Sequence, residues 1–147
     1  MKKNNPLVSV IIPTKNSEEF ISACLNSIVK QSYTDIEVIV NDSVETCDKT
    51  SELINSYKSK LRLICIHENY SMAQGRKRGA HYAKGDILLH IDSDMELSQN
   101  VIAECVKKIR DEGYDALVIP EESFGTTFWA KCRWLEKKCY EGVSEIE

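Results

Sequence analysis

The sequence has no long hydrophobic run, and no segment approaches the roughly 20 apolar residues that a membrane-spanning helix needs. No long apolar signal core follows its basic start. Positive charge is not in excess, because 19 Lys and Arg residues are outnumbered by 23 Asp and Glu residues. The resulting net charge of −4 argues against a general nucleic-acid surface. We therefore expect a cytoplasmic globular protein with a single domain over residues 1–147.

The motifs of several common enzyme classes are also missing. The segment after the first apolar run is Pro13-Thr-Lys-Asn-Ser17, which is not the Gly-x-Gly-x-x-Gly of a dinucleotide site. No Gly-x-x-x-x-Gly-Lys phosphate loop and no Gly-x-Ser-x-Gly elbow occur. The six cysteines form no Cys-x-x-Cys pair, so we predict small buried thiols in a reducing compartment.

What the sequence does contain is an alternation of strand-like and helix-like apolar periodicity. The predicted strands are Leu7–Pro13, Ile36–Val40, Leu61–Ile66, Ile87–Ile91 and Ala116–Ile119. The predicted helices start at a cap on Asn16, at Asp48, at a capping box of Ser71 and Gln74, at a cap on Ser98, and at Thr127. This alternation predicts an α/β, Rossmann-like, mainly parallel sheet with helices on both faces.

Polar residues follow four of the predicted strands. They are Pro13-Thr14, Asn41-Asp42, Asn69 and the pair Asp92 and Asp94. If the strand order is 3-2-1-4, these residues meet at the carboxyl edge, where sheets of this kind bind ligands. The sequence therefore predicts a ligand site at that edge.

The segment Asp92-Ser93-Asp94 closes the fourth predicted strand. Two close carboxylates repel each other and favour a hard divalent cation, and a cation at a strand end is well placed to bind a diphosphate. A solvated turn is the alternative, because turns are rich in Asp and Ser.

Five segments, in order, resemble the family 2 glycosyltransferases of the GT-A type. They are Val8–Asn16, Ser22–Gln31, Glu37–Ser43, Glu68–Gly79 and Ala83–Asp94. The chain departs from the usual family pattern at Asn41, which replaces the first acid of the second-strand motif. It also departs at Ser71 and Lys77, and in two extra residues between Ser43 and Asp48. The resemblance implies a GT-A nucleotide-sugar-binding fold and a metal-assisted, inverting transfer of a sugar to an acceptor hydroxyl.

The resemblance also implies roles for individual residues. Asp42 would accept a hydrogen bond from the imide N–H of the donor's base, which favours a UDP-sugar. Pro13 and Thr14 would border the base, and Asn69 would steady the loop after the third strand. For Asp42, Thr14 and Asn69 a plain turn or cap remains the alternative.

The phosphate side of the donor site would be formed by Arg76 and the two carboxylates. Arg76 would stabilise phosphate charge, although a solvated basic helix face with Lys77 and Arg78 is the alternative. Asp92 would contact the ribose and the metal, and Asp94 would ligate the metal directly. All-oxygen ligands indicate Mg²⁺ or Mn²⁺ as the cofactor.

The resembling enzymes continue beyond the point where this chain ends, so the fold is expected to be truncated at its C-terminus. The missing part would hold the glycan or lipid-linked acceptor and the catalytic base, for which Glu121 and Glu122 are the candidates here. The predicted last helix carries Trp129 and Trp134, and a partner chain or a membrane surface could cover it.

Three functions remain open from the sequence. The first is a metal-dependent glycosyltransferase, or its donor-binding part. The second is a non-catalytic nucleotide-sugar binding module that acts with another chain. The third is an unrelated doubly wound domain in which Asp92-Ser93-Asp94 is only a turn.

Overall fold

The computed structural model of the chain describes residues 5–69 and 71–122, together with residues 128, 131, 132 and 135. Contacts group the chain into two compact units, Met1–Tyr114 and Asp115–Glu147. None of the helices in the described ranges is both long enough and apolar enough to cross a membrane.

The first unit alternates strands and helices as the sequence predicts. Its strands are β1 (Val8–Thr14), β2 (Ile36–Ser43), β3 (Leu63–Glu68) and β4 (Ile87–His90). Its helices are α1 (Ile21–Val29), α2 (Thr50–Ser56), α3 (Met72–Tyr82) and α4 (Val101–Glu112). The strands pair in parallel in the order β3-β2-β1-β4, which confirms the predicted order and fold class.

Helices cover both faces of the two central strands, so every residue of β1 is buried. Val10 and Ile12 face a core that includes buried residues of α1, α2 and α4. Ile11 faces the other side, where Ile39 and Ala80 complete a smaller core beneath α3. Burying each of these large side chains stabilises the fold by about 1.5–3 kcal/mol. This double burial explains why β1 reads as a continuous apolar run rather than an alternating one.

A buried carboxylate joins the amino ends of the strands to the connection between α3 and β4. Oε1 of Glu37 accepts hydrogen bonds from Ser9 Oγ and from the backbone N–H of Lys84, each at 2.6 Å. Ser9 Oγ in turn accepts from the N–H of Gly85 at 2.9 Å. Burial raises the pKa of Glu37, but these hydrogen bonds and the nearby charges of Arg62 and Lys84 together outweigh it, so the net effect lowers that pKa. The carboxylate thus fixes where α3 ends and β4 begins.

The prediction of buried thiols holds only for Cys24 among the described cysteines, because Cys47 and Cys132 are exposed and Cys65 and Cys105 are partly exposed. Three predictions about individual elements are also wrong. Residues 116–119 form no strand, and Val118 is 87% exposed. The prediction failed because a run of four residues is too short to show the periodicity that separates a strand from an irregular segment. Asn16 does not cap α1, because its Oδ1 accepts from the N–H of Cys47 instead. Ser98 does not cap α4, whose N-cap is Asn100, although α4 does end at Gly113 as predicted.

The predicted last helix falls in the second unit. Phe128, Lys131, Cys132 and Leu135 are helical and exposed. Its other predicted residues, including Trp129, Trp134 and Cys139, lie outside the described residues. A covering partner or membrane surface for this helix therefore stays a prediction.

Candidate functional site

The strand register brings the predicted polar residues of three strands to one edge of the sheet. Thr14 pairs with Asp42 across β1 and β2. On the other side of β1, Ile11 pairs with His90, and the N–H of Ile91 donates to Ile11 O at 3.2 Å. Asp92 and Asp94 follow directly, so they lie at the same carboxyl edge as Thr14. The arrangement matches the position expected for a ligand site in a doubly wound sheet.

Thr14 supplies an unpaired hydroxyl at this edge. Its side chain is buried, and its Oγ1 has no hydrogen-bond partner among the described residues. Pro13 precedes it and pairs with Asn41 in the strand register. Because buried hydroxyls in proteins are nearly always paired, Thr14 Oγ1 is a group that a ligand could satisfy.

The Asp42 carboxylate is fully buried at the end of β2. Its Oδ1 accepts from Thr46 Oγ1 at 2.6 Å, and its Oδ2 accepts from Ser51 Oγ. Nδ1 of His67 lies 3.6 Å from Oδ2. A base N–H could therefore reach Asp42 only if the loop that carries Thr46 moved.

That loop, residues 44–47, contains the two residues that the sequence adds between β2 and α2. It is tied to the loop after β1 by an ion pair of Lys15 with Glu45, and by the N–H of Cys47, which donates to Asn16 Oδ1 at 2.9 Å. The ion pair is about half exposed on both sides, so it contributes little to stability. The contacts of this loop with the loop after β1 are thus weak, and its strongest tie is the hydrogen bond from Thr46 to the buried Asp42.

Arg76 and Asp92 form an ion pair between α3 and the loop after β4, in which the guanidinium donates to Oδ1 of Asp92. Ser93 Oγ lies 2.9 Å from Ser17 Oγ, which links the same loop to the start of the β1–α1 connection. Asp94, the next residue, is exposed. The loop is therefore fixed on two sides while Asp94 stays open to solvent.

The loop after β4 is strongly electronegative. Burial raises the pKa of the Cys24 thiol beneath it to about 12, and the nearby carboxylates of Asp94, Glu96 and Asp92 add to that shift. Cys24 is therefore a protonated thiol over the ordinary pH range. A cation or a cationic side chain would relieve the repulsion among the three carboxylates.

Asp92 and Asp94 fit a Mg²⁺ or Mn²⁺ ion by their chemistry. Both are hard oxygen donors on one short loop, and the exposed Asp94 carboxylate is accessible. In the described ranges, no group of three or more His, Cys, Asp or Glu side chains is arranged to hold a metal. Mg²⁺ is commonly held by one or two carboxylates and completed by substrate phosphates and water, which is the pattern that these two residues suit.

Asn69 directly follows β3, whose last residue Glu68 pairs with Ser43 of β2, so it lies at the same carboxyl edge as Asp42. It lines a cavity of about 420 Å³ with Gln74 and the basic side chains of α3, Lys77, Arg78 and His81. Arg78 forms an ion pair with Glu68 at 3.1 Å. The structure thus separates Arg76, which holds Asp92, from Lys77 and Arg78, which belong to the solvated face.

The candidate bases Glu121 and Glu122 belong to the second unit, where both are exposed. Their role as acceptor base stays a prediction. The sequence did not reveal Thr46 and Ser51, which hold Asp42, and it placed Asn41 at the carboxyl edge without revealing its contact with α3. Only the departure of Asn41 from the family pattern signalled one of these contacts.

The sequence model of the family described as "Glycosyl transferase family 2" matches residues 9–142. The chain belongs to glycosyltransferase family 2. Membership excludes the unrelated doubly wound domain that the sequence alone left open, and it agrees with the parallel sheet and its polar carboxyl edge.

Members of this family with known structures share the fold. The poly(ribitol-phosphate) β-N-acetylglucosaminyltransferase TarS of Staphylococcus aureus is 34% identical over 116 residues, which is 76% of this chain and 20% of TarS. The structure of S. aureus TarS in complex with UDP-GlcNAc superposes with a TM-score of 0.69 at 26% identity, covering 82% of this chain and 38% of that one.

A second solved relative carries a different nucleotide. The mannosyltransferase PcManGT of Pyrobaculum calidifontis, in complex with GDP-Man and Mn²⁺, gives a TM-score of 0.67 at 26% identity, covering 74% of this chain and 34% of that one. The fold of the first unit is therefore the GT-A fold. The chain spans less than half the length of each of these relatives.

Proposed function

We propose that this chain forms the donor-binding part of a glycosyltransferase that moves a sugar from a nucleoside-diphosphate sugar to an acceptor hydroxyl with inversion at the anomeric carbon. The observation that carries the proposal is the carboxyl edge of the sheet, where Arg76 holds Asp92, Asp94 stays exposed and Thr14 offers an unpaired hydroxyl. Family membership supports the same reaction class.

The proposed leaving group is the nucleoside diphosphate. In the absence of ligand, Arg76 pairs with Asp92 and offsets its charge. When the donor binds, the guanidinium would also donate to the phosphates. A Mg²⁺ or Mn²⁺ ion bound at Asp94 and Asp92 would neutralise the diphosphate as it departs. The Mn²⁺ and GDP-Man bound to PcManGT support a metal role in this fold.

For the nucleobase we propose uracil. Asp42 is an acceptor that pairs with an imide N–H, and the TarS structure holds UDP-GlcNAc. PcManGT holds GDP-Man, so the fold itself accommodates either base. The choice in this chain would therefore depend on the loop of residues 44–47, because Thr46 occupies one oxygen of Asp42.

The acceptor is proposed to be a hydroxyl of a glycan or of a lipid-linked sugar. An inverting displacement needs a base on the face opposite the leaving group. Glu121 and Glu122 are the carboxylates to be tested in that role.

Two measurements on the purified chain test the proposal. Isothermal titration calorimetry with UDP, with and without Mn²⁺, should show binding that depends on the metal. Incubation with labelled UDP-sugars and a panel of glycan and lipid acceptors should show slow hydrolysis of the donor rather than robust transfer, because the proposal assigns this chain the donor-binding part. Robust transfer that is lost in Glu121→Gln or Glu122→Gln would show that the base lies in this chain. Absence of nucleotide binding would refute the donor site, whereas binding without transfer or donor hydrolysis would favour a non-catalytic binding module.

A further inference from the structure

Helix α3 is joined to the sheet by a buried amide. Asn41 lies near the end of β2 with no exposed surface, and its Nδ2 donates to the backbone carbonyl of Gly75 in α3. Gly75 immediately precedes Arg76, whose guanidinium holds Asp92. The amide therefore contacts the helix one residue away from the arginine of the donor site.

The other end of this amide has no protein partner. Asn41 Oδ1 is buried and accepts no hydrogen bond from any residue that the structure describes. An unpaired buried acceptor is unfavourable, so an asparagine is not the most stable side chain for this place on grounds of burial alone. Its Nδ2 bond to Gly75 is the contact that distinguishes it from an apolar side chain.

Gly79, one turn further along α3, lies against the same amide. A Cβ at Gly79 would lie 2.9 Å from Asn41 Nδ2 and would collide with Cγ2 of Ile11. The helix therefore lies closer to the sheet than any side chain at this position would permit. Asn41 and Ile11 together set its height above the strands.

We propose that Asn41 is a positioning residue for the donor site: its bond to Gly75 fixes α3 on the sheet and thereby places the Arg76 guanidinium on Asp92. The resembling family usually has an acid at this position, and an ionised carboxylate could not donate to the Gly75 carbonyl. The hydrogen bond to Gly75 therefore depends on the asparagine that this chain has at position 41. The link to donor binding rests on the proposed function.

The test compares Asn41→Asp and Asn41→Ala with the wild-type chain in calorimetric titrations of UDP with Mn²⁺, at about pH 5 and about pH 8. At the higher pH the introduced carboxylate faces the Gly75 carbonyl oxygen, and we expect UDP affinity to fall about tenfold. At the lower pH the protonated acid can donate to Gly75, so the affinity relative to wild type should recover. Asn41→Ala should stay weak at both values.

Relative affinities are used because the other charged groups near Asn41, such as Asp42 and His67, and the nucleotide phosphates are common to every variant. Burial raises the pKa of a carboxyl group, which brings the introduced acid into the accessible range. The matched control is Asn55→Asp, which makes the same substitution at an exposed position of α2. It should leave UDP affinity within about twofold of wild type.

A second variant covers the case in which a buried charge prevents folding. Gly79→Ala adds a methyl group that lifts α3 from Asn41 and Ile11, and it should weaken UDP binding without any change of charge. Circular dichroism identifies which variants are folded. Wild-type affinity in the folded variants among Asn41→Asp, Asn41→Ala and Gly79→Ala would overturn the positioning role.

If the wild-type chain binds no UDP, the proposed function fails and the positioning of α3 is read separately. Hydrogen–deuterium exchange of the peptide over residues 71–82 then compares unliganded Asn41→Asp with wild type. Exchange in Asn41→Asp that is faster than in wild type at about pH 8, but equal to wild type at about pH 5, supports the role of Asn41 in holding α3. Exchange equal to wild type at both pH values would overturn it.

Discussion

The guanidinium of Arg76 donates to Oδ1 of Asp92, and the two side chains remain 40% and 35% exposed. The pair is thus accessible to a ligand while it bridges α3 and the loop after β4. A charged ligand could therefore contact Arg76 and Asp92 without disturbing the hydrophobic core.

Replacing Arg76 should weaken nucleotide binding strongly. In Arg76→Gln the Asp92 carboxylate loses its cation and the diphosphate loses a donor, so we expect UDP affinity to fall by about 2 kcal/mol, roughly 30-fold. Calorimetry measures the change. Arg78→Gln is the matched control, because Arg78 pairs with Glu68 on the outer face of the same helix. Equal losses in both variants would mean that only the net charge of α3 matters.

The metal dependence should reside in Asp94. Asp94→Asn removes one charged ligand from an exposed position, so UDP binding should lose its enhancement by Mn²⁺ while the melting temperature changes little. Glu96→Gln is the control, since Glu96 is an exposed carboxylate in the same electronegative loop. A similar loss of Mn²⁺ enhancement in the control would indicate a general field effect rather than ligation.

UDP should bind more tightly than GDP by about tenfold if, as proposed, Asp42 accepts from the imide N–H of uracil. Competition of the two nucleotides against a fluorescent UDP analogue would measure the preference. Asp42→Asn should remove the preference while leaving the phosphate contacts of Arg76 in place. A preference for GDP in the wild-type chain would contradict the assignment of Asp42.

The Cys24 thiol should resist alkylation in the folded protein. Its pKa is raised to about 12 and its side chain is fully buried, whereas Cys47 is exposed. Mass spectrometry after iodoacetamide treatment near pH 8 should find label on Cys47 and little on Cys24. Rapid labelling of Cys24 under native conditions would contradict its burial.

The same shift has a consequence for stability at high pH. The unfolded thiol ionises near its ordinary value of about 8.5, and the folded thiol does not until about pH 12. Its contribution to stability is therefore complete below the unfolded pKa and is lost as the pH rises toward 12. Urea denaturation from pH 8 upward should show a smaller loss of stability in Cys24→Ala than in wild type, relative to each protein's value at about pH 8.

The sheet could be predicted from the sequence because β1 and β2 are buried on both faces, so each carries three consecutive large apolar residues rather than a strict alternation. The capping box of Ser71 and Gln74 was also predictable, because both of its hydrogen bonds are local. The caps assigned to Asn16 and Ser98 failed for the opposite reason. A side chain that suits a cap can equally serve a distant backbone group, as Asn16 does for Cys47.

Within the candidate site, sequence patterns located Asp42 and Asp92 but not the side chains that hold them. Thr46 reaches Asp42 only because the loop of residues 44–47 folds back, and that path depends on contacts with the loop after β1. Arg76 could be assigned to the site because the family motif includes it. Its separation from Arg78 became visible only when the two faces of α3 were known.

The buried Glu37 network has a mechanical consequence. It ties the C-terminal end of α3 to the amino ends of β1 and β2, while Asn41 grips the helix near its first turn. Because α3 is held near both ends, we do not expect it to rotate when a ligand binds. Among the described segments at this edge, the loop of residues 44–47 is held to the loop after β1 by surface contacts, so we expect it to be the segment that moves when a nucleotide binds. The donor would then bind against a rigid α3 and sheet, beside a loop that can move.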